Sequence, residues 1–153
     1  MAPAVDSPTM DLSNIIKAYD VRGIVPDEFD PDIARRIGAA FAAFVDSDEV
    51  IVGYDCRTST PAIRDALVDG INEQGVDVRS IGEVPTDALY FASGAMSLPG
   101  CVITASHNPP QYNGLKFCQP AAAPIGQETG LADIRRMAEE GLPASAHRGS
   151  VTE

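Results

Sequence analysis

The residue types best suited to chemistry sit together in one run, Thr104-Ala105-Ser106-His107-Asn108-Pro109-Pro110-Gln111-Tyr112-Asn113-Gly114-Leu115-Lys116. Ser106 offers a primary hydroxyl on a segment so rich in Pro, Asn and Gly that it must be an exposed turn, which leaves space for in-line attack. A serine hydrolase would need a base aligned on that hydroxyl, and adjacent residues on one loop rarely achieve it. The G-x-S-x-G elbow is also missing, so Ser106 with His107 fits acyl transfer poorly. An acidic chain can still hold an anionic ligand where its few cations converge. Cations are scarce in this chain, with 11 Lys and Arg against 22 Asp and Glu. The two lysines, Lys17 and Lys116, therefore draw notice.

A formal net charge of -11 leaves no broad basic surface for nucleic acid or anionic lipid, and neither is expected as a partner. No apolar run approaches the roughly 20 residues that span a bilayer, and Met1 to Leu12 lacks a basic segment followed by an apolar one. Cys56, Cys101 and Cys118 have neither C-x-x-C spacing nor a nearby histidine pair, so a disulfide framework or zinc site is not indicated. Cys101 and Cys118 read as buried thiols that could face each other across a hairpin. A reduced, cytoplasmic setting is expected.

Strands and helices alternate along the chain. Asp30-Pro31 reads as an N-cap followed by proline, opening a helix with Ile33, Ile37, Phe41 and Phe44 on one face. Glu49 to Tyr54 reads as the first strand and Asp55 to Ser59 as a polar loop. Thr60-Pro61 opens a second helix, striped by Ile63, Leu67 and Ile71 and ended near Gly75. Val76 to Ile81 is the second strand, and a short helix through Leu89, Tyr90 and Phe91 follows. Gly100 to Thr104 is the third strand and Leu115 to Cys118 the fourth. Thr129 to Glu140 gives a last amphipathic helix, and the polar tail beyond Gly141 has little to bury. Arg35, Arg36, Arg135 and Arg136 are read as solvated charge on helix faces.

Helix-linked strands one to three should be parallel. The segment before strand four is too short for a crossover, so that strand should return antiparallel. The prediction is α/β: a three-layer α/β/α sandwich with a mixed four-stranded sheet in the order 2-1-3-4. That order makes strands one and three neighbours, so the loops at their carboxyl ends, Asp55 to Thr60 and Ala105 to Gly114, share one crevice.

The serine run resembles the active-site loop of the α-D-phosphohexomutases of the phosphomannomutase/phosphoglucomutase type, in which T-A-S-H-N-P precedes Y-N-G-x-K. The resemblance extends to Lys17-Ala18-Tyr19-Asp20-Val21-Arg22-Gly23-Ile24, to Gly53-Tyr54-Asp55-Cys56-Arg57 and to Leu89-Tyr90-Phe91-Ala92, covering Ile15 to about Ile125. It implies a first domain with a mixed four-stranded sheet between helices. It further implies that Ser106 carries a phosphoryl group, passes it to a hexose monophosphate to form a 1,6-bisphosphate, and recovers the other phosphoryl group. Lys116, Arg22 and His107 would join Ser106 as catalytic residues, while Tyr19, Arg57 and Asn108 would contact substrate or phosphate. Some of these have plainer readings. His107 can instead support the loop, Asn108 and the prolines stiffen the turn, Tyr19 can pack, and Arg57 has Asp55 as an alternative partner. Lys116 suits proton transfer only where burial or nearby cations favour its neutral form and no carboxylate pairs with it.

The family's Mg²⁺ is held by the phosphoserine together with a D-G-D-G-D-R loop, and no such loop occurs here. Asp30-Pro31-Asp32 reads as a helix cap, and Asp46-Ser47-Asp48-Glu49 as a turn between elements. The expected organisation is an extension at 1–14, the phosphoserine domain at 15–141 and the start of a linker at 142–153. Mg²⁺, a hexose 1,6-bisphosphate activator, the phosphosugar substrate and domains two to four would belong to a longer parent, without which this piece should be inactive as a mutase. A phosphoglucosamine mutase domain and a stand-alone regulatory or binding module are the alternatives.

Overall fold

A computed structural model of the chain describes residues 10–153, and in it the anticipated alternation of strands and helices is present. Residues 1–9 of the anticipated extension lie outside the described residues. Strand β1 is Val21–Ile24, followed by α1 at Pro31–Val45 and β2 at Glu49–Tyr54. Helix α2 is Thr60–Glu73, β3 is Asp77–Glu83, α3 is Thr86–Met96 and β4 is Gly100–Ile103. Then come β5 at Tyr112–Gln119, β6 at Ala123–Pro124, α4 at Leu131–Glu140 and β7 at Val151–Thr152.

The sheet runs β1-β5-β4-β2-β3-β7, with β6 beside β5. Its centre is the predicted arrangement: β3, β2 and β4 are parallel, and β5 returns antiparallel to β4. The predicted four strands become seven, because three short ones were not anticipated. Strand β1 pairs antiparallel with β5 although it holds Arg22 and Gly23, and its four residues show little apolar alternation of their own. Strand β7 pairs with β3 inside the tail that was expected to bury little. Leu12, within the anticipated extension, is buried in the main core.

The apolar stripes read from the sequence explain the layers. Helices α1, α2 and α4 bring Ile37, Phe41, Ile63, Leu67, Ile71, Leu131 and Ile134 against Val50, Val52, Ile103, Leu115 and Phe117 on one face. Each such side chain, fully removed from water, contributes roughly 1.5–3 kcal/mol before the entropy of ordering is subtracted. Phe41 and Phe117 meet with ring centroids 4.7 Å apart. On the other face α3 places Leu89 and Ala92 over Ile51, Val102 and Cys118. Cys101 and Cys118 thus belong to opposite faces. The register pairs Cys118 with Gly100 and Cys101 with Phe117, so the two thiols do not face each other across the hairpin, and all three cysteines are free.

The caps follow their chemistry in part. The Asp30 carboxylate accepts the Ile33 N–H at 2.9 Å, as expected of an N-cap. The last helix begins at Leu131, after a single 3-10 turn at Gln127–Thr129. Arg36 departs from its assignment as solvated charge: its Nε and Nη2 donate to the carbonyls of Ala138 and Glu139, at 2.9 and 2.8 Å, closing the open end of α4. Among the described residues no helix is long and apolar enough to cross a membrane.

The connection β2-α2-β3 lies to one side of β2 and α3 leads back to β4 on its other side, with α2 and α3 on opposite faces of the sheet. This is a topological switch point, where the carboxyl ends of neighbouring strands open a crevice. On the main-core face of the sheet, α1 and α2 approach each other closely. A Cβ added at Gly70 would lie 2.0 Å from the Arg35 carbonyl oxygen, and one at Gly38 would lie 2.3 Å from that of Leu67. Gly70→Ala should therefore force the helices apart and cost roughly 1–3 kcal/mol, whereas Gly94→Ala, into open space on α3, should be neutral or stabilising by about 0.5–1 kcal/mol, both read by denaturant unfolding. Burial pushes the Cys101 and Cys118 thiols up from their ordinary proton affinity, while Cys56 is exposed. Thiol alkylation of the native chain should label Cys56 and spare the other two until the protein is unfolded, as read by peptide mass.

Candidate functional site

Two loops meet at the switch point, Asp55–Ser59 after β2 and Thr104–Gln111 after β4. The second carries Ser106 as an exposed residue with φ of 56°, the left-handed region that a residue with a Cβ enters at a cost of about 1–3 kcal/mol. Local bonds shape this turn. The Ser106 N–H donates to Thr104 Oγ1 at 2.9 Å, and the Asn108 N–H and Nδ2 both donate to the Ala105 carbonyl, at 3.0 and 2.6 Å. Ser106 Oγ lies 3.1 Å from His107 Nδ1, so the histidine does reach the hydroxyl beside it. Either group can be the donor of this hydrogen bond, according to the imidazole tautomer.

Arg57 joins the two loops. Its Nη2 donates to the carbonyls of Ser106 and Asn108, at 2.7 and 2.8 Å, and its Nη1 to those of Pro109 and Tyr112, at 2.8 and 3.0 Å. Its Nε donates to Asp55 Oδ2 at 3.1 Å. A guanidinium has five N–H donors, and all five are engaged. The sequence placed Arg57 at the substrate or paired with Asp55. The pairing is present, and the substrate contact has no donor left to make it.

Beneath Arg57, Asp55 Oδ1 accepts the Arg57 N–H at 3.1 Å and the Thr60 hydroxyl at 2.7 Å. Thr60, read as the opening of α2, is buried and commits its hydroxyl to this network; the helix follows Ser59, which makes no side-chain cap. Asn113 is fully buried at the start of β5. It donates to Ser59 Oγ and Thr60 Oγ1, at 2.9 and 3.0 Å, and its Oδ1 accepts the Gly114 N–H at 2.9 Å. Thr104 and Asn113 were not singled out from the sequence, Thr60 was read only as a helix start, and Asp55 only as a possible partner of Arg57. The available signal was the density of small polar residues on both predicted loops, more than turn formation alone requires.

The β1–β5 ribbon forms the second part of the site. Leu115 and Phe117 point into the main core, which leaves Lys116 on the opposite face, and Arg22 pairs in register with Gly114. A Cβ at Gly114 would lie 2.1 Å from the Val21 carbonyl oxygen, so only glycine lets the strands close here. Asp20 gathers the two cations: its Oδ2 is 3.4 Å from Lys116 Nζ and its Oδ1 is 4.0 Å from Arg22 Nη2. Both remain partly open to solvent, at 27% and 39% side-chain exposure. Asp20 is the carboxylate whose absence an acid–base role for Lys116 required, so the arrangement favours Lys116 as a charge and a donor.

Arg22 and Asn108 line one open pocket with Asn14, Lys17, Glu28 and Tyr112. Tyr19 is not part of it. At 80% exposure its side chain lies along a separate groove with Pro124, Gly126 and Gln127. The structure thus ties together Ser106, His107, Asn108 and Arg57, links Lys116 to Arg22 through Asp20, and leaves Tyr19 apart.

Comparison with known proteins gives a consistent picture. Residues 13–143 match the family described as phosphoglucomutase/phosphomannomutase, alpha/beta/alpha domain I. The chain is 47% identical over 120 residues to a protein of Xanthomonas campestris named phosphohexose mutases, covering 78% of this chain and 27% of that one. It is 43% identical over 125 residues to a Klebsiella pneumoniae phosphomannomutase, covering 81% and 80%. A crystal structure of a phosphoglucomutase/phosphomannomutase family protein from Burkholderia thailandensis superposes with a TM-score of 0.80 at 35% identity, over 94% of this chain and 33% of that one. The chain therefore spans about a quarter of the Xanthomonas relative.

Asn113→Ala would leave the Gly114 N–H and two hydroxyls short of a partner in a buried setting. Stability should fall by about 1–3 kcal/mol in denaturant unfolding, while Asn108→Ala, in the exposed turn, should cost less than about 1 kcal/mol.

Proposed function

The chain belongs to the phosphoglucomutase/phosphomannomutase family, as its α/β/α domain I, and on that premise we propose that Ser106 carries the phosphoryl group of a phosphohexomutase. The observation that carries the reading is the presentation of Ser106: an exposed primary hydroxyl at the switch point, 3.1 Å from an imidazole nitrogen, on a turn fixed at its carbonyl groups.

The reaction is an intramolecular phosphoryl transfer, which makes the parent enzyme an isomerase of sugar phosphates. The bond between phosphorus and Ser106 Oγ breaks as a sugar hydroxyl forms a new P–O bond, giving a hexose 1,6-bisphosphate. The sugar hydroxyl loses its proton to solvent, and Ser106 Oγ takes one from His107. In the return step Ser106 Oγ attacks the other phosphoryl group, its proton passes back to His107, and the sugar oxygen left behind takes one from solvent. Position and charge dominate such a transfer. Lys116 and Arg22 supply the charge, at a place where an incoming phosphate competes with Asp20 for them. Asn108 and the Arg22 pocket offer donors to a phosphosugar, while Tyr19, on its own groove, would meet substrate only where further residues close over it.

Mg²⁺ belongs to this reading as the counter-charge of the phosphoserine, and a bound Mg²⁺ would neutralise phosphate oxygens. This chain contributes one ligand to it, the Ser106 phosphate. Among the described residues no group of three or more His, Cys, Asp or Glu side chains is placed to hold a metal ion, so the remaining ligands come from outside them. The sugar-selecting groups do likewise, in keeping with a Xanthomonas relative about three times as long as this chain. A hexose 1,6-bisphosphate is the expected activator, domains two to four the expected partners, and a reduced cytoplasmic setting fits the free thiols.

Incubating the chain with glucose or mannose 1,6-bisphosphate and Mg²⁺ should add one phosphoryl group, located on Ser106 by peptide mass and absent from Ser106→Ala. Phosphate found only on another residue would remove the reading.

A further inference from the structure

The donors of Arg57 reach four carbonyl oxygens of the serine turn and one carboxylate, and the side chain is only 12% exposed. The four carbonyls belong to Ser106, Asn108, Pro109 and Tyr112, so the arginine touches both ends of the turn and its middle. We infer that Arg57 is a positioning residue for phosphoryl transfer at Ser106, acting only through the backbone of the serine turn and never as a ligand of the phosphate. The inference rests on the reading of Ser106 as the phosphoryl carrier and goes beyond it.

Three observations carry it. Ser106 has a left-handed backbone, which persists only where the surroundings over-determine it, and the bond from Nη2 to the Ser106 carbonyl does so directly. Of the turn's other bonds, those from Asn108 and Ser106 return to Ala105 and Thr104 within the same segment, and the Gln111 carbonyl at its far end accepts the Val25 N–H at 2.9 Å, so the stretch from Ser106 to Pro109 is tied to another loop through Arg57. Finally, Arg57 is itself aimed from below. Asp55 takes its Nε and its backbone N–H, and Asp55 is anchored by the Thr60 hydroxyl, which Asn113 holds in turn. A phosphate oxygen could gain an Arg57 donor only by displacing one of the turn's carbonyls, which would undo the geometry that the transfer needs.

Lysine cannot replace this function, because an ammonium has three donors about one point and cannot reach four carbonyls and a carboxylate. The test uses the full 153-residue chain as wild type, Arg57→Lys and Arg57→Ala, with two readouts: the rate of Ser106 phosphorylation against hexose 1,6-bisphosphate concentration, and amide hydrogen exchange. In Arg57→Lys the maximal rate should fall about 100-fold, the effect of an ångström-scale misplacement, while the half-saturating concentration changes less than about threefold. The amides of Asn108 and Tyr112 should exchange at least about tenfold faster, with those of Val52 and Phe117 in the sheet as protected as in the wild type. Millimolar guanidinium ion should restore part of the rate to Arg57→Ala and none to Arg57→Lys.

A fall in rate with the turn amides still protected would overturn the inference, since Arg57 would then act on the phosphate itself. Unchanged rate and exchange would overturn it too, as would equal loss of protection in turn and sheet with no guanidinium rescue. Should the wild-type chain take up no phosphate on Ser106, the reading of that serine fails by itself. Turn exchange would still show separately whether Arg57 holds the segment.

Discussion

Carbonyl groups that converge without donors repel one another, and a turn built from Ser106, Asn108, Pro109 and Tyr112 turns four of them toward the same point. The Arg57 guanidinium fills that point with a planar, fixed set of donors, each bond to a charged group being worth more than its neutral counterpart. The other features of the site depend on this contact. It needs β2 and β4 to be neighbours, which needs α2 and α3 to leave the sheet on opposite faces, which needs the two apolar clusters that hold them there. The same contact sets where Ser106 stands, and hence what a ligand in the crevice meets first.

The rest of the polar network serves to keep that cation in place. Asp55 supplies its counter-charge, Thr60 and Asn113 fix Asp55, and among the described residues no buried side-chain nitrogen or oxygen lacks a partner. A network this close to complete is expected where a loop must be rigid in one conformation, because each missing partner in a low-dielectric setting costs more than a made bond contributes. The cations on β1 and β5 are held less firmly. Their pairs with Asp20 are long and partly solvated, of the kind that contributes about 0–1 kcal/mol, so Lys116 and Arg22 can exchange that carboxylate for another partner at little cost. One half of the site is therefore built for position and the other for charge.

Much of this was legible in the sequence because it depended on periodicity and local turn chemistry. The stripes of Ile33, Ile37 and Phe41 and of Ile63, Leu67 and Ile71 gave α1 and α2, and the turn formers between Ala105 and Gly114 marked the loop that carries Ser106. Too short a connection told that β5 must be antiparallel to β4. Strand β1 was not legible: four residues that include Arg22 and Gly23 become a strand only because β5 offers them an edge. Nor was β7, a two-residue strand paired to β3. Arg36 read as solvated because nothing local distinguishes it from Arg35, and its partners lie more than 100 residues away, at Ala138 and Glu139.

The sequence by itself determined the fold class, the family resemblance of the serine loop and the scarcity of cations in the chain, since residue type, spacing and motif are local properties. Tertiary structure alone decided what each charged side chain does. It joined Arg57 both to Asp55 and to the carbonyls of the serine turn, gave Lys116 and Arg22 a shared carboxylate, and set Tyr19 on a separate groove. The physical reason is that a long charged side chain carries no periodicity of its own and takes its role from whichever acceptors the packed backbone brings within about 3 Å of it.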